Sequence, residues 1–589
     1  MIYSSFRKQD TGRAQCDQRL RIAVYGIMIG AGFIILRLFF LMVINHEFYT
    51  VLATNAQESY NKLIPKRGEI FISDSRTDAT YPLAINKDLF LLYADTREIK
   101  DATSAEQVAE VLTQKFLYTP ERKAAVLVQL HKKTDPYEPL EQRLEQDAVD
   151  AIIDLRLPGI HAIRQSHRLY PEQNLVAQVV GFLGKDTQGE NKGRYGIEGY
   201  WNKELSGQGG FFAGLKSASG NWAAMNTQSF RPAQDGMDLV LTIDRTLQYK
   251  ACERLREGLH EYGATSASLV IMEPKTGAIL AMCSLPDYNA NEYGKVEHAE
   301  IFNNSNVFTP YEPGSIFKPI IMSAALNENT VTPNTPFRDT GHRDGICQRP
   351  IQNAGNKVFG DQTMTGIIQN SINTGMVYVT ELLGKRKVID YIKRYGFGVQ
   401  TGIELDTEVS GVIDSLSQNK NNKVDCYTAT ASFGQGLTVT PLQMATAFSA
   451  IANGGTLMKP YIIKEKRFSD GRVEITKPKP VQSVISRKAA NEVGAMLVTT
   501  VDKGYSGHAR VPGYYVAGKS GTAEISGVGG YTKNYNHSFI GFAPAHDPKF
   551  LMMIKYEKPQ RAYAESTAAY VFGDLSKFIL EYYQIAPTR

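Results

Sequence analysis

The sequence is poor in cysteine and lacks the spacings by which cysteine and histidine usually bind a metal. Its five cysteines form no C-x-x-C pair, and no H-E-x-x-H motif occurs. Neither a zinc site nor a disulfide framework is therefore indicated, and we expect buried or isolated thiols, no metal and no cofactor. The cysteines are Cys16, Cys252, Cys283, Cys347 and Cys426.

A large excess of charge is also absent. The chain has 589 residues, with 65 lysines and arginines against 60 aspartates and glutamates, which gives a net charge of +5. So balanced a chain does not indicate a nucleic-acid-binding protein. A chain of this length is too long for one ordinary hydrophobic core, so we expect two or more domains.

One long apolar run is present, over residues 22–44. At about 1.5 Å per residue a helix of this length can cross a hydrocarbon layer of about 30 Å. Basic residues predominate over acidic ones in residues 1–21, so the positive-inside bias predicts a cytoplasmic tail there and an exported chain from residue 45 onward. No small-residue cleavage site follows the run. We therefore predict a single uncleaved anchor in the cytoplasmic membrane.

Arg37 lies within this predicted span. A charged side chain there costs about 2.5–3.5 kcal/mol on insertion scales unless it snorkels to the interface or finds a partner. Snorkelling is the simpler interpretation. The sharper hypothesis is that Arg37 faces another membrane protein.

Residues 45–235 are expected to form a non-catalytic pedestal or dimerisation-type domain of mixed α/β structure. Short apolar runs predict one strand at residues 65–72 and two more within residues 81–93. Helical periodicity extends over about residues 105–156. One face is predicted to carry Val108, Val111, Leu112 and Phe116, and another Leu140, Leu144, Ala148 and Ile152. No cluster of histidine, cysteine or paired acids suggests a second active site.

Residues 236–589 are expected to form a second domain, an antiparallel sheet built from both ends of the segment around a helical block. A strand leading into a helix opens it at residues 236–244. The further predicted elements are strands at residues 268–272, 278–283, 519–524, 537–542 and 549–556, and a closing helix at 567–583.

A serine three residues before a lysine marks a candidate nucleophile in this domain. Ser315 and Lys318 follow a Pro-Gly break, and Pro319 is tolerated only near a helix start. If the helix begins at or just before Ser315, hydroxyl and amine lie on one face of its first turn, a nucleophile with a base beside it. The spacing alone has little specificity, because Ser5, Ser59 and Ser417 also precede a lysine by three residues.

Two later motifs give this pair its context. Ser371-Ile372-Asn373 is predicted to lie in a loop of the helical block, and Lys519-Ser520-Gly521 on a strand. The order S-x-x-K, S-x-N, K-[ST]-G is the signature of penicillin-binding proteins and serine β-lactamases. A competing Lys275-Thr276-Gly277 lies in a predicted hairpin turn before the nucleophile.

The chemistry of acyl transfer explains these residue types. An amine accepts a proton from serine at neutral pH only if burial or positive charge lowers its pKa, and Lys519 can help to do this for Lys318. Ser371 can relay a proton towards the leaving amine. Asn373 can hold Lys318 and a substrate amide.

Substrate binding is assigned to the end of the third motif. Ser520 and Gly521 would border the substrate, and the glycine would let its backbone approach the strand. The N–H groups of Ser315 and Thr522 can form an oxyanion hole worth on the order of 3 kcal/mol per donor.

Further motifs make the whole chain resemble a class B penicillin-binding protein. In the second domain they are Tyr311-Glu312-Pro313-Gly314-Ser315, Phe433-Gly434-Gln435-Gly436, Asn453-Gly454-Gly455 and Ser538-Phe539-Ile540-Gly541; in the first they are Arg67-Gly68-Glu69-Ile70, Arg168-Leu169-Tyr170-Pro171 and Gly196-Ile197-Glu198. The resemblance implies a multidomain α+β fold, in which a penicillin-binding transpeptidase domain with an antiparallel sheet, flanking helices and an all-helical block follows a mixed pedestal and one transmembrane helix.

The same resemblance implies a function. The family's activity is that of a D,D-transpeptidase, which cross-links peptidoglycan stem peptides through an acyl-enzyme on Ser315, and β-lactams are its covalent inhibitors. No glycosyltransferase domain precedes the pedestal, so strand polymerisation would belong to a membrane glycosyltransferase partner, which Arg37 could contact. The motifs are more similar to the septal, cell-division type than to the elongation type.

Other functions stay open at this point. A β-lactamase or D,D-carboxypeptidase would share the three motifs but not the long pedestal. A β-lactam sensor or a catalytically idle division scaffold would belong to other functional classes. The family pattern is also altered in the pedestal, where its R-G-x-I-x-D-R-N-G motif is loosened after Arg67 and Gln173 replaces an expected glycine, whereas serine at Ser520 keeps the usual hydroxyl.

Overall fold

The computed structural model describes residues 28, 31–32, 58–132, 137–216, 222–223, 230–418, 421–527 and 530–589. The cytoplasmic tail predicted over residues 1–21 and nearly all of the span predicted over residues 22–44, including Arg37, lie outside these ranges. Within them, no helix is both long enough and apolar enough to cross a membrane.

The chain divides into two compact units. The smaller comprises Met1–Pro65 and Gln208–Gln234, and the larger comprises Lys66–Gly207 and Asp235–Arg589. In the described part of the smaller unit, strand Gly210–Lys216 pairs with Glu58–Leu63, Trp222–Ala223 and Phe230–Arg231, always antiparallel.

A seven-stranded sheet joins the first part of the larger unit to the segment that follows. Its spatial order is Val473–Ile475, Ile463–Arg467, Asp238–Asp244, Ile70–Ser73, Thr80–Ala94 and Glu138–Leu144, with Ile160–Leu169 also paired to Thr80–Ala94. Asp238–Asp244 runs parallel to Ile70–Ser73, and the other pairings are antiparallel. The strand predicted to open the second domain thus pairs with a strand of the pedestal segment. The prediction of two strands within residues 81–93 was wrong, because one strand, Thr80–Ala94, covers the whole range.

The helical region predicted over residues 105–156 is interrupted by a strand. Helices cover Ala102–Phe116, Pro120–Leu130 and Gln146–Ile153, but Glu138–Leu144 is a strand. The buried face of the first helix includes Val108 and Leu112, as predicted, whereas Val111 and Phe116 are only partly buried. The prediction of a helical face through Leu140 and Leu144 was wrong, because a spacing of four residues also fits the two-residue period of a strand.

The second sheet has five antiparallel strands and matches its prediction. Its order is Ile279–Leu285, Ser266–Met272, Phe550–Glu557, Gly530–Ala543 and Ala517–Gly527, so both ends of the segment contribute. Helices Arg245–Glu261 and Ala568–Tyr582 share one buried apolar cluster with this sheet. The predicted closing helix and the predicted hairpin are both confirmed.

A helical block packs against the same sheet through a second apolar cluster, to which Val270 and Ile540 belong. Its helices are Lys318–Asn327, Met364–Gln369, Asn373–Leu383, Lys385–Arg394, Cys426–Ala431, Pro441–Ala452 and Arg487–Lys503. Short strand pairs are Phe182–Lys185 with Asn191–Arg194, Pro336–Asp339 with Gly360–Thr363, His342–Arg343 with Ile351–Gln352, and Thr456–Met458 with Pro480–Ser483. Short helices cover Ala177–Val180, Gly196–Tyr200, Asn202–Ser206 and Ser305–Phe308.

Two disulfides correct the expectation of free thiols. Cys252 is bonded to Cys283, and Cys347 to Cys426, across 31 and 79 residues of chain. The first joins the helix Arg245–Glu261 to the adjacent strand Ile279–Leu285. Partners so far apart share no short motif, so the sequence alone could not pair them.

The three pedestal motifs meet at one buried carboxylate. Glu198 is fully buried, and its oxygens accept hydrogen bonds from Arg67 Nε at 2.8 Å and Arg168 Nε at 2.7 Å. Burial would raise the pKa of Glu198, but the two guanidinium groups lower it below its usual value. The family motifs around Arg67, Arg168 and Glu198 therefore form one structural ion cluster.

Candidate active site

Ser315 lies in a single 3-10 turn, Gly314–Phe317, that leads directly into the helix Lys318–Asn327 with Pro319 in its first turn. The helical segment therefore begins just before Ser315, as predicted, but its first turn is tighter than an α-helix. Gly314 has φ +60°, and its N–H donates to Gly434 O at 3.0 Å. A Cβ on Gly434 would lie 2.2 Å from Gly314 O, so the Phe-Gly-Gln-Gly motif must contain glycine there for the nucleophile turn to fit.

Lys318 is fully buried directly after this turn. Its Nζ donates to Ser371 O at 2.6 Å and Asn373 Oδ1 at 2.8 Å, and it lies 3.1 Å from Ser371 Oγ. Burial and then the positive charge of Lys519 hold the pKa of Lys318 well below its usual value. An amine in this state can accept a proton at neutral pH.

Ser371 lies between the helices Met364–Gln369 and Asn373–Leu383, in the loop where it was predicted. Its φ of 56° places a non-glycine residue in the left-handed region, which costs on the order of 1–3 kcal/mol. This backbone aims both the carbonyl oxygen and the hydroxyl of Ser371 at Lys318.

Asn373 is held by residues that the sequence analysis missed. Its N–H donates to Asn353 Oδ1 at 2.9 Å, and its Nδ2 donates to Gln352 O at 3.0 Å. Asn353 in turn donates to Asp339 Oδ2 at 2.8 Å, and Thr374 Oγ1 donates to Asp339 Oδ1 at 2.6 Å. Asp339 and Asn353 are both buried, so this network fixes the start of the helix that carries Asn373.

Lys519 lies on the edge strand Ala517–Gly527, where its side chain is buried and its Nζ donates to Ser520 O at 2.8 Å. Burial lowers the pKa of Lys519 to about 8, against the opposing effect of Glu565. At neutral pH this lysine is therefore mostly charged, and its charge is the one that disfavours a proton on Lys318.

The rest of the third motif borders the nucleophile turn. A Cβ on Gly521 would lie 3.0 Å from Ile316 Cγ2 and 3.1 Å from Pro313 O, so the glycine is required for the strand to approach this turn. Ser520 is buried, and Thr522 Oγ1 accepts the N–H of Ala564 at 3.1 Å. The competing Lys275 lies in a surface turn, where it pairs with Asp547.

Glu312 is a further residue to which the sequence analysis gave no role. Its carboxylate accepts Gly436 N–H at 3.1 Å and Tyr531 O–H at 3.0 Å. It thereby links the approach to Ser315 to the Phe-Gly-Gln-Gly loop and to the hairpin of the edge strand. Burial raises the pKa of Glu312.

The comparisons with known proteins agree with this geometry. Residues 267–577 match the family described as the penicillin binding protein transpeptidase domain, and residues 62–241 match the penicillin-binding protein dimerisation domain. The chain belongs to the penicillin-binding protein transpeptidase family. Its likeness to class B members, inferred from the motifs, is confirmed.

Individual relatives align over most of this penicillin-binding protein's length. Stage V sporulation protein D of Bacillus subtilis is 32% identical over 582 residues, which cover 97% of this chain and 86% of the relative. The peptidoglycan D,D-transpeptidase FtsI of Escherichia coli K12 is 28% identical over 572 residues, covering 95% and 91%.

Solved structures show the same fold. Penicillin binding protein 2X of Streptococcus thermophilus superimposes with a TM-score of 0.74 at 23% identity. The alignment covers 89% of this chain and 80% of the Streptococcus thermophilus chain. Penicillin binding protein 3 of Mycobacterium tuberculosis, complexed with ampicillin, gives a TM-score of 0.67 at 23% identity. This alignment covers 90% of this chain and 97% of the Mycobacterium tuberculosis chain.

Proposed function

We propose that this penicillin-binding protein is a peptidoglycan D,D-transpeptidase that joins stem peptides through an acyl-enzyme on Ser315. The observation that carries the proposal is the fully buried amine of Lys318, one turn from Ser315 and in contact with Ser371 and Asn373. Family membership and relatives named peptidoglycan D,D-transpeptidase support the same reaction.

Acylation begins when Lys318 Nζ accepts the proton of Ser315 Oγ, and Oγ attacks the carbonyl carbon of the D-Ala-D-Ala peptide bond. The N–H groups of Ser315 and Thr522 are proposed to stabilise the oxyanion of the tetrahedral intermediate. Ser371, whose hydroxyl oxygen lies 3.1 Å from Lys318 Nζ, passes the proton to the leaving nitrogen of D-alanine. The C–N bond breaks, D-alanine leaves and the ester on Ser315 remains.

Deacylation reverses these roles. An amine of a second stem peptide attacks the ester carbon, loses a proton to the Ser371–Lys318 pair and forms a new amide as Ser315 Oγ regains its proton. Water in place of the amine would give hydrolysis, the reaction of a carboxypeptidase. The same attack by Ser315 on a β-lactam carbonyl would give a stable penicilloyl ester.

Labelled penicillin tests this proposal. The full chain in detergent is acylated, digested and mapped, with Ser315→Ala and the surface variant Lys275→Ala as controls. We expect the label on the peptide that contains Ser315, its loss in Ser315→Ala, slow release of the adduct and normal labelling in Lys275→Ala. Label on another serine would contradict the assignment, and rapid turnover would favour a β-lactamase.

We further propose that the protein acts at the septum during cell division. The Tyr-Glu-Pro-Gly and Phe-Gly-Gln-Gly-Leu stretches and the relative FtsI support this role over elongation. The relative named stage V sporulation protein D favours a role in sporulation as the main alternative. A functional fluorescent fusion should concentrate at division septa of growing cells; a signal along the side wall would contradict the proposal.

The location and the partner are proposals as well. The predicted anchor would place the catalytic domain outside the cytoplasmic membrane, and two disulfides fit such an oxidising compartment. A membrane glycosyltransferase of the division machinery is the proposed partner. Arg37→Leu should reduce its co-purification without changing penicillin acylation, and unchanged recovery would remove Arg37 from the contact.

A further inference from the structure

A carboxylate that the family motifs do not include lies beside the catalytic strand. Glu565 belongs to the 3-10 turn Ala564–Ser566, which packs against the strand Ala517–Gly527. The turn is fixed there, because Ala564 is buried and its N–H donates to Thr522 Oγ1 at 3.1 Å. Thr567, the next residue after the turn, is also fully buried.

The side chain of Glu565 is partly buried, and within the described part of the chain it has no hydrogen bond and no cation within 4.0 Å. Burial raises the pKa of Glu565, and three basic groups on different elements oppose this effect: Lys519 on the strand, Lys357 on the loop after Asn353, and His508 on the turn Gly507–Ala509.

A nearby carboxylate can decide which of the two catalytic lysines carries a proton. Lys318 and Lys519 are both buried, and neither has a carboxylate within 4.0 Å among the residues described. Two buried ammonium groups repel each other, so the site favours one charged and one neutral amine. Catalysis requires Lys318 to be the neutral one, so something must keep the charge on Lys519.

We propose that Glu565 is a positioning residue for acylation, whose carboxylate holds Lys519 as the ammonium and so leaves Lys318 free to accept the proton of Ser315. The proposal rests on the proposed transpeptidase function and deepens its mechanism. Glu565 itself neither gains nor loses a proton. Its charge opposes the burial that lowers the pKa of Lys519.

The test is the pH dependence of Ser315 acylation by fluorescent penicillin, measured from pH 6 to 10 on the full chain in detergent. The variants are Glu565→Gln and Glu565→Ala, which remove the charge, and Glu565→Asp, which keeps it. Glu581→Gln removes an exposed charge from the closing helix and is the matched control. Thermal unfolding of each variant shows whether it is folded.

In the wild type, acylation should fall above about pH 8 as Lys519 loses its proton. In Glu565→Gln and Glu565→Ala this decline should move to lower pH by about 0.5–1 unit, because the attraction to Lys519 is gone. In Glu565→Asp the decline should return most of the way to its wild-type pH, and the profile of Glu581→Gln should superimpose on that of the wild type.

The proposal is overturned if the decline stays at the same pH in both neutral variants. It is also overturned if they lose activity equally at every pH, or if only transfer to an acceptor amine falls while acylation is unchanged. Absence of Ser315 acylation in the wild type would instead refute the proposed function.

Discussion

The amine nitrogen of Lys318 lies 3.1 Å from the hydroxyl oxygen of Ser371, although 53 residues separate them in the chain. This contact connects the base beside the nucleophile to the group that can pass a proton onward. It depends on an unusual backbone conformation at Ser371 and on the network that fixes Asn373 two residues later.

Removal of Asn353 should impair acylation without unfolding the protein. In Asn353→Ala the N–H groups of Asn373 and Thr374 lose their acceptor, and an unsatisfied buried group costs about 1–3 kcal/mol. We expect penicillin acylation to slow by about 10- to 100-fold. Gln352→Ala, which removes an exposed side chain but keeps the carbonyl that Asn373 uses, is the control. Equal rates in both variants would show that the network is dispensable.

The stability of the protein should fall in mild acid because of His537. Burial lowers the pKa of His537 to about 4, below the value of 6.5 in an unfolded chain. The unfolded chain therefore takes up the proton first, and stability present above about pH 6.5 is lost as the pH falls towards 4, by up to about 3 kcal/mol. Urea unfolding at pH 7 and pH 5 measures the loss. His537→Asn should show a smaller loss, and an identical one would contradict the assignment.

The longer disulfide should stabilise the helical block. Cys347→Ser combined with Cys426→Ser opens a loop of 79 residues, which should lower the free energy of unfolding by about 2–4 kcal/mol. Denaturant unfolding provides the measurement, and Cys16→Ser is the control for loss of a cysteine alone. A double variant as stable as the wild type would mean that the bond constrains nothing.

Replacing Gln173 by the glycine of the family pattern should stabilise the protein. Gln173 has φ +51°, a conformation that glycine adopts without strain, which explains why a glycine was expected there. Gln173→Gly should raise the free energy of unfolding by up to about 1 kcal/mol, as measured by thermal unfolding. Gln188→Gly, at a turn residue outside the left-handed region, should not stabilise. Destabilisation by Gln173→Gly would show that the glutamine side chain contributes more than the strain costs.

Short motifs and local periodicity predicted much of this molecule. The order of Ser315, Ser371 and Lys519 was enough to nominate three segments that the fold brings together, and period-two patterns located the strands of the second sheet. Pro319 also predicted where the helix begins, because proline is tolerated only near a helix start.

Long-range pairings were beyond the reach of such patterns. Asp339 and Asn353 belong to no motif and matter only because folding places them beside Asn373. Glu565 belongs to no motif either, and it lies in a turn that packs against the strand that carries Lys519. The partners of Cys252 and Cys347 were hidden for the same reason. The strand at Leu140 was mistaken for a helix because its buried residues fit both periods.

The most direct test of the central claim is acyl transfer with a natural type of substrate. The full chain in detergent is given a stem peptide ending in D-Ala-D-Ala and an acceptor stem peptide with a free amine, and released D-alanine and cross-linked product are measured together. We expect most of the released D-alanine molecules to be matched by one cross-link each, and we expect neither product from Ser315→Ala. Release of D-alanine without cross-links, or cross-linking that survives in Ser315→Ala, would contradict a Ser315 transpeptidase.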